Sequence, residues 1–134
     1  MLNSATFLKT HPLSTRKLGV TGFCWGGSTV NFLAVTLGAD LQAGAPFYGA
    51  AAETAGVPKI KAPLLIHYAE TDPRINEMWP AFEAALKAAG LPYQAYIYPG
   101  TQHGFHNNST PRYHEVSAKL AWERTVAFFR TNLA

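Results

Sequence analysis

The stretch Gly22-Phe23-Cys24-Trp25-Gly26-Gly27 limits this chain more than any other. Ahead of it, Leu18 to Thr21 has the short apolar pattern of a buried strand, ended by Gly22. Behind it, Ser28 to Leu37 has helical periodicity, with Gly38 placed just past the helix end. A cysteine at the apex of so sharp a strand-to-helix turn must take a strained backbone conformation and bring neighbouring chain close. Residues without Cβ are therefore expected on both sides of it. The helix starting here points its positive end and free N–H groups at the sulfur, which predicts a lowered thiol pKa.

The rest of the chain agrees with a parallel sheet. Ala43 to Tyr48 reads as a second strand, and Gly49 to Lys61 as a loop. Pro63 to Ala69 is a near-continuous apolar run, the pattern of a parallel strand covered on both faces. Asn76 to Ala89 follows as a helix, with Trp79, Phe82, Leu86 and Ala89 on one stripe and Pro80 in its first turn. Tyr93 to Tyr98 is the fourth strand. From about Tyr113 a last helix carries the stripe Trp122, Val126, Phe129 and Leu133. This alternation predicts one α/β domain with helices on the faces of a parallel sheet and its strands side by side in chain order.

At 134 residues, 48% hydrophobic and 14% charged, the chain has enough apolar material for a core of its own. The net charge of +3 comes from scattered Lys and Arg with no basic run, so nucleic acid is not an expected partner. Cys24 is the only cysteine, which excludes an intrachain disulfide and a cysteine-rich zinc cluster. A lone thiol suits a reducing compartment. No apolar run is long enough to span a bilayer, and Met1 to Pro12 lacks a basic start and a sustained apolar region. The expectation is a cytoplasmic chain with no membrane partner.

Two residues complete a candidate nucleophile. Asp72 follows the third strand, at the carboxyl end where open α/β sheets place their sites, although Glu70 competes for its role and a helix cap would explain it as well. His103 follows the fourth strand in Pro99-Gly100-Thr101-Gln102-His103-Gly104, where flanking glycines suit a tight loop aiming the imidazole back at the sheet. The nucleophile, acid and histidine thus occur in the order Cys24, Asp72, His103, each at a strand end. The N–H of Trp25 is positioned to donate to a tetrahedral oxyanion. Of the other histidines, His67 lies within a strand and reads as core, His11 and His114 as surface, and His106 as a candidate for the mouth of the site.

Gly22-Phe23-Cys24-Trp25-Gly26-Gly27, Pro46-Phe47-Tyr48-Gly49, Ala62-Pro63-Leu64-Leu65, Tyr98-Pro99-Gly100, His103-Gly104-Phe105 and Ala121-Trp122-Glu123-Arg124-Thr125 together resemble the dienelactone hydrolase (carboxymethylenebutenolidase) family, from about Lys17 onward. The resemblance implies the C-terminal half of a parallel-sheet α/β-hydrolase fold, about four strands with flanking helices. It also implies a Cys24–Asp72–His103 triad, an ester or lactone as the small-molecule substrate, and no metal or organic cofactor. Some members hold a substrate carboxylate with an arginine four residues after the catalytic histidine. That position is Asn107 here, leaving Arg74, Arg112, His106 and Asn107 itself as candidates to touch substrate.

Members of the family are usually much longer at the N-terminus, where only one short helix-like segment precedes Leu18 in this chain. The first strand is then an uncovered edge, which predicts a homo-oligomer or a need for another polypeptide. Two other functions fit parts of the pattern. One is a truncated, weakly active or inactive remnant acting as a subunit. The other is a redox-responsive thiol protein, which has no second cysteine to resolve a sulfenate.

Overall fold

A computed structural model describes every residue from Met1 to Ala134. The elements run α1 (Leu2–Thr10), β1 (Gly19–Phe23), α2 (Trp25–Leu37), β2 (Ala43–Phe47), β3 (Leu64–Thr71), α3 (Pro73–Asn76), α4 (Trp79–Ala88), β4 (Tyr93–Gln102) and α5 (Glu115–Leu133). Single 3₁₀ turns at Gly38–Asp40 and Thr54–Lys59 lie on either side of β2. The four strands form one sheet in the order β1-β2-β3-β4, every pair parallel, as the alternation of elements predicts.

β2 and the first six residues of β3 are buried throughout, because helices cover both faces of the sheet. Alternate residues of β3 serve two cores. Leu64, Ile66 and Tyr68 join Ala34, Val57, Ile60, Phe82 and Leu86 on the side of α2 and α4. Ala69 joins Phe47, Tyr48, Tyr98, Phe105, Ala118 and Ala121 on the side of α5. α1 sits at the open side of β1, tied to the turn after α2 by Lys9 and Asp40 at 2.5 Å. No helix is long and apolar enough to cross a membrane.

Several elements depart from the sequence reading, among them β1, which runs on through Gly22 to Phe23. The helix expected over Asn76 to Ala89 starts late, as α4 at Trp79, and Asn76 instead ends the short α3. Pro80 has no N–H to give to the carbonyl four residues back, and its ring would crowd that carbonyl, so it fits only in the first turn of α4, where the sequence reading also puts it, and helix cannot run into it from Asn76. β4 extends to Gln102 despite Pro99, which an edge strand tolerates because its outer side needs no ladder donor.

A further departure concerns α5. It buries Ser117, Ala118, Ala121 and Thr125 against the sheet, small residues that let helix and strands approach closely. The large apolar stripe is only partly covered: Trp122 is exposed, while Phe129 and Leu133 lean over Gly19, where a Cβ would meet Leu133 at 2.7 Å and Phe129 at 2.9 Å. The stripe therefore faces the β1 edge. His114, expected at the surface, is half-buried as the N-cap of α5, its Nδ1 accepting the Ser117 N–H at 3.3 Å. His11 is likewise half-buried, against Phe7.

His67 is fully buried in β3, as its place in an apolar run suggests. Its Nδ1 lies 2.8 Å from the Tyr98 hydroxyl, its Nε2 2.9 Å from Thr125 Oγ1, and Phe47 stacks on the ring. Thr125 gives its one hydroxyl proton to the Ala121 carbonyl, so it must accept from His67, which places the imidazole proton on Nε2. Tyr98 in turn donates to Nδ1 and accepts from Arg124, whose guanidinium also lies over the Tyr96 ring. Burial, reinforced by the Arg124 charge and by His106, pushes the His67 pKa down to about 3.

The unfolded chain therefore takes up a proton below about pH 6.5 that the folded chain refuses until about pH 3. Stability contributed by neutral His67 is complete above the unfolded value and declines as pH falls through this window. Urea unfolding midpoints measured from pH 7 to pH 3 should fall more steeply for the wild type than for His67→Gln. At pH 7 the variant should be less stable by about 1–3 kcal/mol from the disrupted buried pairing. Parallel curves for the two proteins would refute the assignment.

Candidate active site

The site is built on the carboxyl ends of β1, β2, β3 and β4. Cys24 follows β1 with φ +55° and ψ −118°, a backbone conformation that costs about 1–3 kcal/mol and persists only where its surroundings hold it. Its N–H donates to the Phe47 carbonyl at 3.1 Å, and its own carbonyl accepts from the Ser28 N–H at 3.1 Å, pinning the turn between β2 and α2. α2 begins at Trp25, three residues earlier than its periodicity indicates, so Gly26 and Gly27 lie inside its first turn.

Glycine is indispensable at two of the three positions around the turn. A Cβ on Gly22 would sit 2.4 Å from the Gly26 carbonyl oxygen, and one on Gly27 2.4 Å from the Phe47 carbonyl oxygen. Gly26, expected to be equally crowded, has open space beside it. The tight side of the elbow is the side toward β2, and the loose side looks toward the uncovered edge.

Asp72 closes β3 and is buried, with 6% of its surface exposed. It stands at the N-cap of α3 but makes no capping bond, so its carboxylate is left for His103: Oδ2 lies 2.5 Å from the imidazole Nδ1. Glu70, the competing acid, instead accepts the Gly100 N–H at 2.9 Å and secures the end of β4. His103 lies between Gly100 at φ +72° and Gly104 at φ +85°, the tight loop its flanking glycines predict. Its Nε2 is 3.2 Å from Cys24 Sγ. With Asp72 accepting the proton on Nδ1, Nε2 presents a lone pair to the thiol.

Burial pushes the Cys24 thiol above its ordinary pKa; Arg112 pulls against that, nearby Asp72 adds to it, and Arg74 pulls against it more weakly. The depression expected from the helix N-terminus is thus overturned, because taking the sulfur out of water disfavours its anion more than the nearby cations favour it. Trp25 is the first residue of α2, so its N–H has no acceptor within the helix. Its indole is 74% exposed.

The remaining candidates divide. Arg74 and Arg112 are both exposed, and each acts on the charge of Cys24; the Arg112 guanidinium packs over Gly104, beside His103. His106 is half-buried, its ring 4.9 Å from Phe23 and 5.9 Å from Trp122, and burial lowers its pKa. With Phe23, Tyr113, Trp122 and Lys119 it lines a groove of about 480 Å³. Asn107 is exposed, and its Oδ1 is occupied by the Ser109 N–H at 3.0 Å and hydroxyl at 2.7 Å, an interaction that shapes the loop. No group of three or more His, Cys, Asp or Glu side chains is placed to hold a metal ion. Tyr48, absent from the sequence candidates, packs 5.0 Å from the His103 ring. The sequence reading took it as the last residue of the second strand, and its one signal is its place in Pro46-Phe47-Tyr48-Gly49; in the structure it lies just past β2.

Residues 1–133 match the model of the dienelactone hydrolase family. The chain is 31% identical over 138 residues to a Yersinia pestis protein named "Putative carboxymethylenebutenolidase", covering 95% of this chain and 51% of that one. It is 34% identical over 135 residues to "Protein usf" of Aquifex pyrophilus, covering 97% and 58%. Among solved structures, the "Putative Dienelactone Hydrolase" of Klebsiella pneumoniae superposes with a TM-score of 0.85 at 28% identity, over 95% of this chain and 57% of the other. The chain spans about half the length of the curated relatives it matches.

The unequal crowding of the glycines is testable. Gly27→Ala should destabilise by about 1–3 kcal/mol, since backbone must move to admit the methyl. Gly26→Ala should be neutral or stabilise by up to about 1 kcal/mol through helix propensity. Urea unfolding of both variants checks this; equal losses would refute the one-sided elbow.

Proposed function

The chain belongs to the dienelactone hydrolase family, and from that premise we propose that it cleaves an ester or lactone through a Cys24–His103–Asp72 triad. The observation that carries this reading is the imidazole of His103 joining the thiol to a buried carboxylate. His103 Nε2 takes the thiol proton as Cys24 Sγ attacks the substrate carbonyl, and the Trp25 N–H faces the oxygen on which charge develops. The tetrahedral adduct collapses to a thioester, and His103 returns the proton to the departing alkoxide. Water, deprotonated by His103, then attacks the thioester, and the acid leaves as Cys24 regains its proton. Asp72 holds the imidazole in the required tautomer throughout.

A raised thiol pKa favours this reading over a redox-responsive cysteine, whose reactivity needs a standing thiolate. Arg74 and Arg112 supply positive potential at the mouth, and His106 the wall of the adjoining groove; these three are the substrate-facing residues in this proposal. Asn107 is better explained by its loop. Self-association through β1 belongs to the same reading, supported by the unpaired edge and the apolar residues Trp25 and Trp122 exposed near it. Light scattering on the purified chain should give a mass of at least two copies, and a single-copy mass at all concentrations would remove this part.

Hydrolysis of p-nitrophenyl acetate tests the chemistry. Cys24→Ala should abolish turnover. His103→Ala should lower kcat by about 10²–10⁴, the range for loss of a general base. Asp72→Asn should lower kcat with KM little changed, because it alters the tautomer rather than the binding surface. Wild-type rates in Cys24→Ala or His103→Ala would refute the triad.

A further inference from the structure

β3 and β4 keep one register from Leu64 opposite Tyr93 to Ala69 opposite Tyr98 and then lose it, the next pair being Thr71 with Gln102. A single residue of β3, Glu70, therefore faces Pro99, Gly100 and Thr101 of β4, a bulge that advances β4 by two residues. Because side chains alternate along a strand, an even shift leaves each of them on its original face. The consequence lies one residue further on. In the unbroken register Asp72 would stand opposite Thr101, whereas in the shifted one it stands opposite His103, whose Nδ1 lies 2.5 Å from Asp72 Oδ2.

The bulge is fastened by side chains. Thr101 is 1% exposed, and both hydrogen bonds of its hydroxyl go to the bulge: Oγ1 donates to the Tyr98 carbonyl at 2.6 Å and accepts the Glu70 N–H at 3.2 Å, bridging the two strands. Gly100 has φ +72°, a conformation that suits glycine in a bulge, and its N–H donates to the Glu70 carboxylate at 2.9 Å. Asn76 of α3 holds the other strand, donating to the Ala69 and Glu70 carbonyls at 2.9 and 3.2 Å. Thr101 is the one side chain of the bulge that is both buried and bonded to each strand.

We propose that Thr101, assisted by Glu70, is a positioning residue: it holds β4 two residues out of register with β3, and so brings His103 rather than its neighbours to Asp72. The inference rests on the Cys24–His103–Asp72 reading above. Thr101 acts on the reaction only through the imidazole and takes no part in proton transfer. Without its hydroxyl the Glu70 N–H loses its acceptor and the bulge its bridge, which frees the loop carrying His103 to shift. A displacement of about 1 Å in a reacting group can cost about 10² in rate.

Two measurements on the purified chain test this: hydrolysis of p-nitrophenyl acetate, and long-range proton–nitrogen correlation spectra of the histidine rings, which read the tautomer through carbon-bound protons. The His103 signals are those lost in His103→Ala. Thr101→Val should lower kcat by about tenfold or more with KM unchanged, and should mix the Nε2–H tautomer into a His103 ring that is Nδ1–H in the wild type. Thr101→Ser, which keeps the hydroxyl, should recover most of the rate and the wild-type tautomer. Glu70→Ala, at an exposed position, should show a smaller change of the same kind and decides the matter if Thr101→Val does not fold. Wild-type kcat and tautomer in Thr101→Val, or in Glu70→Ala where that variant decides, overturn the role of Thr101 and leave the triad reading standing. A wild-type His103 that lacks the Nδ1–H tautomer, or a His103→Ala protein with the wild-type rate, overturns both.

Discussion

The close approach of α2 to the exit of β2 governs the rest of the structure. Gly27 and Gly49 meet backbone to backbone, with the Phe47 carbonyl between them accepting the Cys24 N–H. One side chain at either glycine would force the two segments apart. Because they touch, the sulfur is held above the sheet, α2 starts at once behind it, and the chain leaving β2 turns sharply enough to drive Tyr48 under His103. A strain of about 1–3 kcal/mol at each of two residues with positive φ, Cys24 and Tyr48, is of the same order as the few backbone hydrogen bonds that clamp them, each worth about 1 kcal/mol net. The conformation therefore depends on packing all around it and could not survive in the isolated segment.

Two titratable groups show how position decides their chemistry. His67 is enclosed, with both ring nitrogens engaged by hydroxyls, and its neutral form is the one that burial, Tyr98 and Thr125 all favour. Cys24 is only half-buried, and the forces on it oppose each other: loss of water raises its pKa, while Arg112 and Arg74 lower it. The first arrangement is rigid in one protonation state, which suits a core. The second leaves the thiol with a proton acceptor at 3.2 Å, an arrangement open to proton transfer where the first is not.

Fold and site were legible to different depths. Strand order followed from alternation and short connections, and the meeting of Cys24, Asp72 and His103 from three residues at strand ends in a particular order. What stayed hidden depends on contacts between distant segments. The late start of α4 needed the steric weight of Pro80, while the apolar stripe from Trp79 onward lies within that helix and its C-cap. The buried face of α5 is small-residue Ala118, Ala121 and Thr125, because hydrophobicity alone does not say which stripe fits against a sheet and which overhangs its edge. The direction of the Cys24 pKa was misjudged because a helix N-terminus is visible in sequence and the burial of a side chain is not. Tyr48 was missed because no residue pattern announces a positive φ.

The two edges of the sheet are built differently, and the difference bears on the chemistry. β4 is largely exposed or only partly covered along its length and carries Pro99, features of an edge that faces water. β1 has neither: it is glycine-rich and bordered by Leu8 and Trp25 on one face and by Phe129 and Leu133 on the other. Cys24 lies at the end of this strand, so everything that orients the nucleophile from the β2 side is present, while on the β1 side the Trp25 N–H stands alone beside open space at Gly26. Removing one of a pair of oxyanion donors typically costs about 10²–10³ in turnover, whereas the pairing of His103 with Cys24 and Asp72 does not involve that side at all. In the proposed mechanism nucleophile activation and oxyanion stabilisation are thus separable: the first draws on contacts that lie within the four strands, and the second on what meets the β1 edge.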